Sequence, residues 1–88
     1  PEHFALEQNY PNPFNPTTSI QYSVAKSGPV LLTIYNVMGQ QVATLVDGAK
    51  SPGTYRISWD AAHMASGIYY YRLQAGSAVL TRQMTLIK

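Results

Sequence analysis

The chain has 88 residues, of which 11% are charged, and it carries a net charge of +2 and no cysteine. It therefore has no disulfide, thiolate nucleophile or zinc-thiolate site, and its length suits one small domain without a deep active-site cleft. Its six lysine and arginine residues are scattered along the sequence, which excludes the clustered basic footprint of a nucleic-acid or membrane-surface protein.

The first sixteen residues predict an entry segment rich in proline. His3–Leu6 is a short apolar stretch that we expect to form an edge strand. In Gln8–Pro16 three prolines fix φ, remove backbone donors and exclude a helix, so we expect a structured loop. Tyr10 and Phe14 are predicted to pin this loop onto the core. Its asparagines, at positions 9, 12 and 15, are predicted to close Asx-turns.

Alternating apolar and polar residues predict four strands in the middle of the chain. They are Thr18–Val24, Val30–Tyr35, Gln40–Val46 and Thr54–Trp59. The second and third read as a hairpin closed at Asn36–Gly39, whereas Asp47–Gly53 has the composition of a loop. Trp59 is the predicted core anchor, since it ends a run in which Tyr55, Ile57 and Trp59 share one face.

The last third predicts one turn and two strands. Asp60–Ala65 has the composition of a single helical turn, with Asp60 capping its free amides. The strand Gly67–Ala75 holds three consecutive tyrosines. The last strand is predicted over Val79–Ile87, and because Val79 and Ile87 interrupt its alternation of apolar and polar residues, a bulge is one possible explanation. In the last strand we expect three side chains to point inward: Leu80, Met84 and Leu86. The seven predicted strands, with turns every 8–12 residues, are typical of an antiparallel immunoglobulin-like sandwich, here a single domain over residues 1–88.

Tyr69, Tyr70 and Tyr71 admit two interpretations. They are an aromatic surface on which a sugar could stack, or core residues of a central strand. Alternation separates Tyr70 from the other two, and the position of Tyr69 near Gly67 suggests a tyrosine corner, so packing is the preferred interpretation.

Two other candidate sites have weak support. Asp60, His63 and Ser66 lack an oxyanion hole and a cleft, so no catalytic residue is expected. Asp47 and Asp60 are not part of an acidic cluster at ligand spacing, so no metal or cofactor is expected.

Four segments resemble a known family. They are Leu6–Thr18, Leu32–Val42, Ser66–Leu73 and Met84–Lys88. Together they look like the C-terminal sorting domains of bacterial type IX secretion substrates. Trp59-Asp60 followed by Ser66–Tyr69 also resembles the immunoglobulin-like domain of flagellar hook-capping proteins, although Ala61 stands where those domains commonly have glycine.

The resemblance implies a non-catalytic module fused after a secreted cargo domain. Its implied partners are the outer-membrane secretion translocon and a sortase-like peptidase that removes the domain and anchors the cargo to surface lipopolysaccharide or releases it. The implied location is the cell surface or the medium, reached through the periplasm. Since Pro1 is no natural translation start, we interpret the chain as a fragment with its export signal upstream, and Lys88 as the end of its parent protein.

Recognition residues are predicted in two places. The first is the proline-rich loop, with Tyr10, Pro11, Asn12, Pro13, Phe14, Asn15 and Pro16; the second is the last strand, with Arg82, Met84, Leu86 and Lys88. A preorganised loop loses little entropy on docking, and loops on rigid scaffolds commonly carry recognition. Two alternatives remain open, a carbohydrate-binding module with exposed aromatic residues and a structural accessory domain of an extracellular enzyme.

Overall fold

The computed structural model describes residues 1–88 and consists of seven strands without a helix. In chain order they are β1 (Ala5–Leu6), β2 (Thr17–Val24), β3 (Gly28–Tyr35), β4 (Gln41–Lys50), β5 (Gly53–Asp60), β6 (Gly67–Ala75) and β7 (Ala78–Leu86). One antiparallel sheet has the order β1-β2-β5, and the other has the order β4-β3-β6-β7. Both sheets contribute to one buried cluster of 17 residues. The predicted all-β sandwich is confirmed.

The strands follow from the alternation in the sequence. In β2 the even-numbered residues Ile20, Tyr22 and Val24 are buried, while the serines and the glutamine between them are half-exposed. The pairing of Ile20 with Ile57 sets β2 against β5 without a register shift. Because alternate side chains of a strand point to opposite faces, one such face is enough to fix this register.

β6 lies inside the four-stranded sheet, between β3 and β7. Tyr69, Tyr71 and Leu73 are buried on its inner face, and Tyr70 lies on the outer face. The Tyr69 hydroxyl donates a hydrogen bond of 2.7 Å to the carbonyl of Ala65. The preferred interpretation of these tyrosines as core and corner residues is therefore confirmed.

The core contains a row of three aromatic rings between the sheets. The Phe14 and Trp59 ring centroids are 5.9 Å apart, and the Trp59 and Tyr69 centroids are 5.6 Å apart with an edge-to-face geometry. Rings in these tilted arrangements stabilise a core beyond the area that they bury. The row joins the loop before β2 to strands of both sheets, and it confirms Trp59 as a core residue.

The predicted loop Asp47–Gly53 is wrong in its first half. β4 continues to Lys50, because Asp47, Gly48, Ala49 and Lys50 all pair with the first half of β3. The connection to β5 is only two residues long, at positions 51 and 52. These residues favour a turn, but their backbone hydrogen bonds to β3 keep them extended. The intrinsic preference of a residue for turn or strand is small compared with the effect of strand pairing.

The bulge predicted for the last strand is also wrong. The register between β6 and β7 is unbroken, and the shifts occur between β3 and β4. In β7 the predicted inward residues Met84 and Leu86 are buried, Leu80 packs against the core, and Val79 is 59% exposed. The inward apolar residues of β7 therefore alternate regularly along one face of the strand, and Arg82 lies on that same face.

A single turn capped by Asp60 joins β5 to β6, as predicted, but the expectation that it is helical is wrong. The Asp60 carboxylate accepts a hydrogen bond of 3.0 Å from the Ala62 amide, and the Met64 amide donates to the Ala61 carbonyl. No helix in the structure has the length and apolarity needed to cross a membrane.

Candidate recognition surface

Residues 8–16, here called the proline segment, connect the two sheets at one edge of the sandwich. Tyr10 exchanges two backbone hydrogen bonds of 2.9 Å with Ser19 of β2. Phe14 forms a parallel bridge to Leu86 of β7. The peptide bonds before all three prolines of the segment are cis. The segment is therefore bonded to the three-stranded sheet at its start and to the four-stranded sheet near its end.

The side chain of Asn9 fixes the proline segment from its buried side. Its side chain is buried, and its Nδ2 donates hydrogen bonds to the Pro11 carbonyl at 3.1 Å and to Thr18 Oγ1 at 3.0 Å. Thr18 Oγ1 donates to the same Pro11 carbonyl at 2.9 Å. Buried polar groups must be paired, and prolines cannot supply backbone donors, so these side chains supply them.

Tyr71 fixes the start of the segment. Its hydroxyl is a buried hydrogen-bond relay that donates to the Glu7 carbonyl at 2.8 Å and accepts from the Asn9 amide at 2.8 Å. Burial raises the pKa of the Tyr71 hydroxyl above its ordinary value, because the phenolate would lose its hydration; the Asn9 hydrogen bond and the charge of Arg82 act in the opposite direction. The neutral, bonded hydroxyl is the form that the fold favours.

The end of the segment lies along the outer edge of β7. The Phe14 amide donates to the Thr85 carbonyl at 3.0 Å, and the Phe14 carbonyl accepts from the Ile87 amide at 2.9 Å. Asn12 Oδ1 accepts from the Thr85 amide at 3.0 Å, and Gln8 Nε2 donates to the Gln83 carbonyl at 2.7 Å. The structure thus brings the two predicted recognition regions into direct contact.

Most of the predicted residues of the proline segment are accessible. Tyr10 is 81% exposed, so its predicted function as a core anchor is wrong, whereas Phe14, at 2% exposure, is the anchor. Pro16 is half-buried, and the remaining members of the set are exposed: Pro11, Asn12, Pro13 and Asn15. The Asx-turns predicted at Asn9 and Asn12 are also wrong, because Asn9 donates to the Pro11 carbonyl instead of accepting from a backbone amide two residues on, and the Asn12 side chain bonds to Thr85 in β7.

The predicted residues of the last strand divide into buried and exposed ones. Met84 and Leu86 are fully buried, so a receptor that docks on the folded domain cannot contact their side chains. Arg82 is exposed, and its Nε donates to the Leu6 carbonyl of β1. Lys88 is exposed too, and its Nζ donates to the carbonyls of Ala62 at 2.7 Å and Met64 at 3.0 Å. Both cations therefore hold neighbouring backbone as well as facing solvent.

A polar hollow of about 350 Å³ lies beside the Tyr10 side chain. Tyr10 forms its one apolar wall, and the other lining residues are Glu7, Gln8, Ser19, Gln21 and Arg56. Arg56 Nη2 donates to Gln21 Oε1 at 3.0 Å, which fixes the floor of the hollow. An exposed aromatic residue next to oriented polar side chains is the composition of a protein-binding patch.

A family model described as the secretion system C-terminal sorting domain matches residues 8–88 of the chain. The chain belongs to this family. The match begins at the proline segment and includes β2 to β7, so every contact between the segment and β7 described above lies within it. Comparison with curated proteins and with solved structures gave no match.

Sorting domains of this family are signals carried by secreted or cell-surface proteins, and they are not catalytic. The geometry of this sorting domain agrees with a binding function. His63, Asp60 and Ser66 are all exposed and share no hydrogen bond that would form a triad. Trp59, Tyr69 and Tyr71 are buried, which leaves Tyr10 and the outer tyrosines of the four-stranded sheet as aromatic contact residues.

Sequence reasoning missed Asn9, Gln8 and Tyr71 as residues that hold this surface in place. The signal for Asn9 was present, because a run with three prolines has more backbone acceptors than donors and must take donors from side chains. The signal for Tyr71 was its inward position on β6. What the pattern could not give was the pairing of Tyr71 with a segment more than sixty residues away in the chain.

Proposed function

We propose that this sorting domain directs a fused bacterial cargo across the outer membrane by presenting a folded surface to the secretion translocon. The surface consists of the exposed part of the proline segment, the hollow beside Tyr10 and the outer edge of β7 that the segment covers. The observation that supports the proposal is the pair of Phe14 backbone hydrogen bonds to Thr85 and Ile87. These bonds join the proline segment to the end of the chain, the first and last parts of the sequence that the family model matches.

A folded surface suits recognition by the translocon because it is already ordered before binding. The proline segment is held by Asn9 and Tyr71 from inside, so docking would not have to order it. Tyr10 is a large, rigid and 81% exposed side chain, the residue type that most often dominates a binding interface. We therefore assign Tyr10 as the central contact and Arg56 and Gln21 as polar contacts at its side.

After translocation, we propose, a sortase-like peptidase separates the domain from its cargo, which is then anchored to surface lipopolysaccharide or released. The support is the resemblance of the signature segments to domains with that fate. Within this proposal the 88 residues supply recognition only, and the peptidase supplies the chemistry. The upstream cargo and the peptidase would be the partners of the domain, with no cofactor.

The test is export of a full-length parent protein in a bacterium with the type IX pathway. Deletion of Met84–Lys88 is expected to leave the cargo in the periplasm, and Tyr10→Ala is expected to lower surface delivery severalfold without unfolding the domain. Met38→Ala is the matched control, because Met38 is a 77% exposed apolar residue on the β3–β4 turn, away from the proline segment.

The readout is the cargo fraction that an added protease reaches on intact cells, compared with the periplasmic fraction. Normal delivery of the deletion variant would overturn the sorting proposal. Normal delivery of Tyr10→Ala with failed delivery of the deletion would retain sorting and reject Tyr10 as the contact. Loss of cargo stability in both compartments, with export of the remainder unchanged, would instead favour a structural accessory domain.

A further inference from the structure

The outer face of the four-stranded sheet carries an arginine that has no carboxylate partner. Arg72 lies in β6, and its guanidinium stacks over the Tyr35 ring at 4.8 Å from the centroid. Its one hydrogen bond runs from Nη2 to the Tyr35 hydroxyl oxygen, and its Nε is buried without a partner. A guanidinium has five N–H donors; the buried Nε is out of a ligand's reach and one N–H of Nη2 is bonded to Tyr35, so Nη1 and the second N–H of Nη2 are left for a ligand's acceptor atoms.

The Tyr35 hydroxyl adds a second donor at the same place. Its oxygen accepts hydrogen bonds from Thr33 Oγ1 at 3.0 Å and from Arg72 Nη2. With both neighbours donating to the oxygen, the hydroxyl proton of Tyr35 is directed at neither of them. The Arg72 guanidinium and the Tyr35 hydroxyl together therefore match the two oxygens of a carboxylate.

Tyr70 supplies a flat apolar surface next to these donors. It is the direct cross-strand neighbour of Tyr35, and 36% of the residue is exposed. Beside it lies a cleft of about 280 Å³, and the lining residues that matter here are Tyr35, Asn36, Tyr70, Arg72 and Thr81. This volume is close to the lower end of small-ligand sites, so it suits a single ring. The Thr81 side chain is a polar group of the kind that binds ring hydroxyls. The Asn36 side chain is held within the β3–β4 turn, where Oδ1 accepts from the Met38 and Gln40 amides and Nδ2 donates to Gln40 Oε1, so one Nδ2 N–H is left for a ligand.

The position of Arg72 and Tyr35 in the sheet favours a compact ligand over a peptide. Arg72 and Tyr35 belong to β6 and β3, which are both interior strands whose backbone groups pair on either side. A peptide binds a sheet most strongly by adding a strand at a free edge, and neither strand that carries Arg72 and Tyr35 has one. Recognition by these two residues therefore uses side chains alone, which favours a small ring with a charge and hydroxyls.

We propose that this cleft binds an acidic sugar, a uronic acid residue of a polysaccharide. The carboxylate lies on Arg72 and the Tyr35 hydroxyl, the pyranose ring packs on Tyr70, and the ring hydroxyls bond to Thr81 and to the remaining Nδ2 N–H of Asn36. This is a binding activity separate from sorting, since Tyr10 and the proline segment contribute nothing to the cleft.

The test is an NMR titration of the ¹⁵N-labelled 88-residue chain with sodium glucuronate, and in parallel with neutral methyl glucoside, at constant ionic strength. We expect saturable amide shifts around Tyr35, Tyr70 and Arg72 with glucuronate and much smaller ones with the glucoside. Arg72→Gln should weaken glucuronate binding by about ten- to a hundredfold, as expected for a lost charge-assisted hydrogen bond. Tyr70→Ala should weaken it by about tenfold, as expected for a lost stacking contact.

The matched control is Lys26→Gln, which removes one positive charge from the exposed turn between β2 and β3, outside the cleft. It should leave glucuronate affinity unchanged. An equal loss of affinity in Lys26→Gln and Arg72→Gln would show unspecific attraction to net charge and overturn the proposal, as would the absence of saturable shifts or equal binding of the neutral sugar. Saturable binding of an acidic peptide without binding of glucuronate would also overturn it. If Arg72→Gln does not fold, Tyr70→Ala decides, because the Tyr70 side chain makes no hydrogen bond and lies at the surface.

Discussion

Phe14 lies beside Leu86 in a parallel bridge, so a residue near the start of the chain acts as a short partner strand for the last strand. The side chains of both residues are buried, and the Phe14 ring also packs against Trp59. The contact closes one edge of the sandwich over a separation of about seventy residues. The backbone bridge holds only while Phe14 stays in position, so we expect its buried side chain to anchor the segment against this edge.

Replacing Phe14 by alanine should therefore destabilise the domain strongly. Loss of a buried phenylalanine and the cavity it leaves costs about 3–5 kcal/mol. Urea unfolding followed by tryptophan fluorescence measures this directly, because Trp59 is the single tryptophan and touches the Phe14 ring. Tyr10→Ala, at an 81% exposed site, is the matched control and should change the free energy of unfolding by less than about 0.5 kcal/mol. Similar losses in the two variants would contradict this assignment of the anchor.

Asn9→Ala should cost about 1–3 kcal/mol of the free energy of unfolding, because it removes the Nδ2 donor to Thr18 Oγ1 and one of the two donors to the Pro11 carbonyl. Asn9 Nδ2 donates both to Pro11 and to Thr18. Asn15→Ala is the control, since Asn15 is exposed. The variant Thr18→Val combined with Asn9→Ala should cost less than the sum of the two single losses, because both belong to one network. Strict additivity would show that Asn9 and Thr18 act independently.

Stability should fall in alkaline solution. Burial raises the pKa values of Tyr22 and Tyr71 above their ordinary value of 10.0, and the Tyr55 charge adds to the effect at Tyr22. Above pH 10 the unfolded chain therefore loses these protons before the folded chain does. The stabilisation is complete below about pH 10 and is lost as the pH rises through the raised pKa values of the folded state.

Tyr22→Phe separates this titration from hydrogen bonding. The Tyr22 ring stacks on Tyr55 and its hydroxyl makes no hydrogen bond, whereas Tyr71→Phe also removes the bonds to Glu7 and Asn9. Unfolding in urea at several pH values from 8 to 11.5 should show a shallower alkaline decrease for Tyr22→Phe with little change at pH 8. An unchanged alkaline slope in both variants would exclude these tyrosines as its cause.

Tyr69→Phe tests the tyrosine corner. The hydroxyl donates to the carbonyl of Ala65, and its removal should cost about 1 kcal/mol, the usual net value of such a bond. Tyr70→Phe changes the neighbouring residue by the same atom, but the Tyr70 hydroxyl has no protein partner, so its effect should stay within about 0.5 kcal/mol. Equal effects of the two variants on urea unfolding would mean that the corner hydrogen bond does not stabilise the fold.

Strands with an uninterrupted alternation could be predicted from the sequence. β2, β5 and β6 each present one apolar face, and the side chains predicted to point inward, such as Ile20 and Tyr71, do so. The end of β4 could not be predicted, since Asp47 and Gly48 are turn-forming residues that extend only because β3 pairs with them. Local preference is small compared with a ladder that tertiary structure imposes.

The proline segment shows a second limit. Between Tyr10 and Phe14 three residues without regular alternation intervene, so nothing in the spacing shows which ring is buried. Both were expected to be, and only Phe14 is. The contact of the segment with Thr85 was likewise outside the reach of local patterns, because it joins positions at opposite ends of the chain. The immunoglobulin-like relation and the recognition residues stay predictions.

The outer edge of β7 is where loss of the proline segment should have its clearest consequence. An uncovered edge strand offers free amides and carbonyls to other chains. Gln8 and Asn12 occupy the Gln83 carbonyl and the Thr85 amide at this edge. The double variant Gln8→Ala/Asn12→Ala should therefore self-associate more than the unmodified domain at equal concentration, in a sedimentation velocity measurement. Gln21→Ala/Asn15→Ala removes the same two residue types without removing a hydrogen bond to β7, and it should sediment as the unmodified domain does. Equal association of both double variants would assign the effect to the loss of polar surface residues instead of the edge.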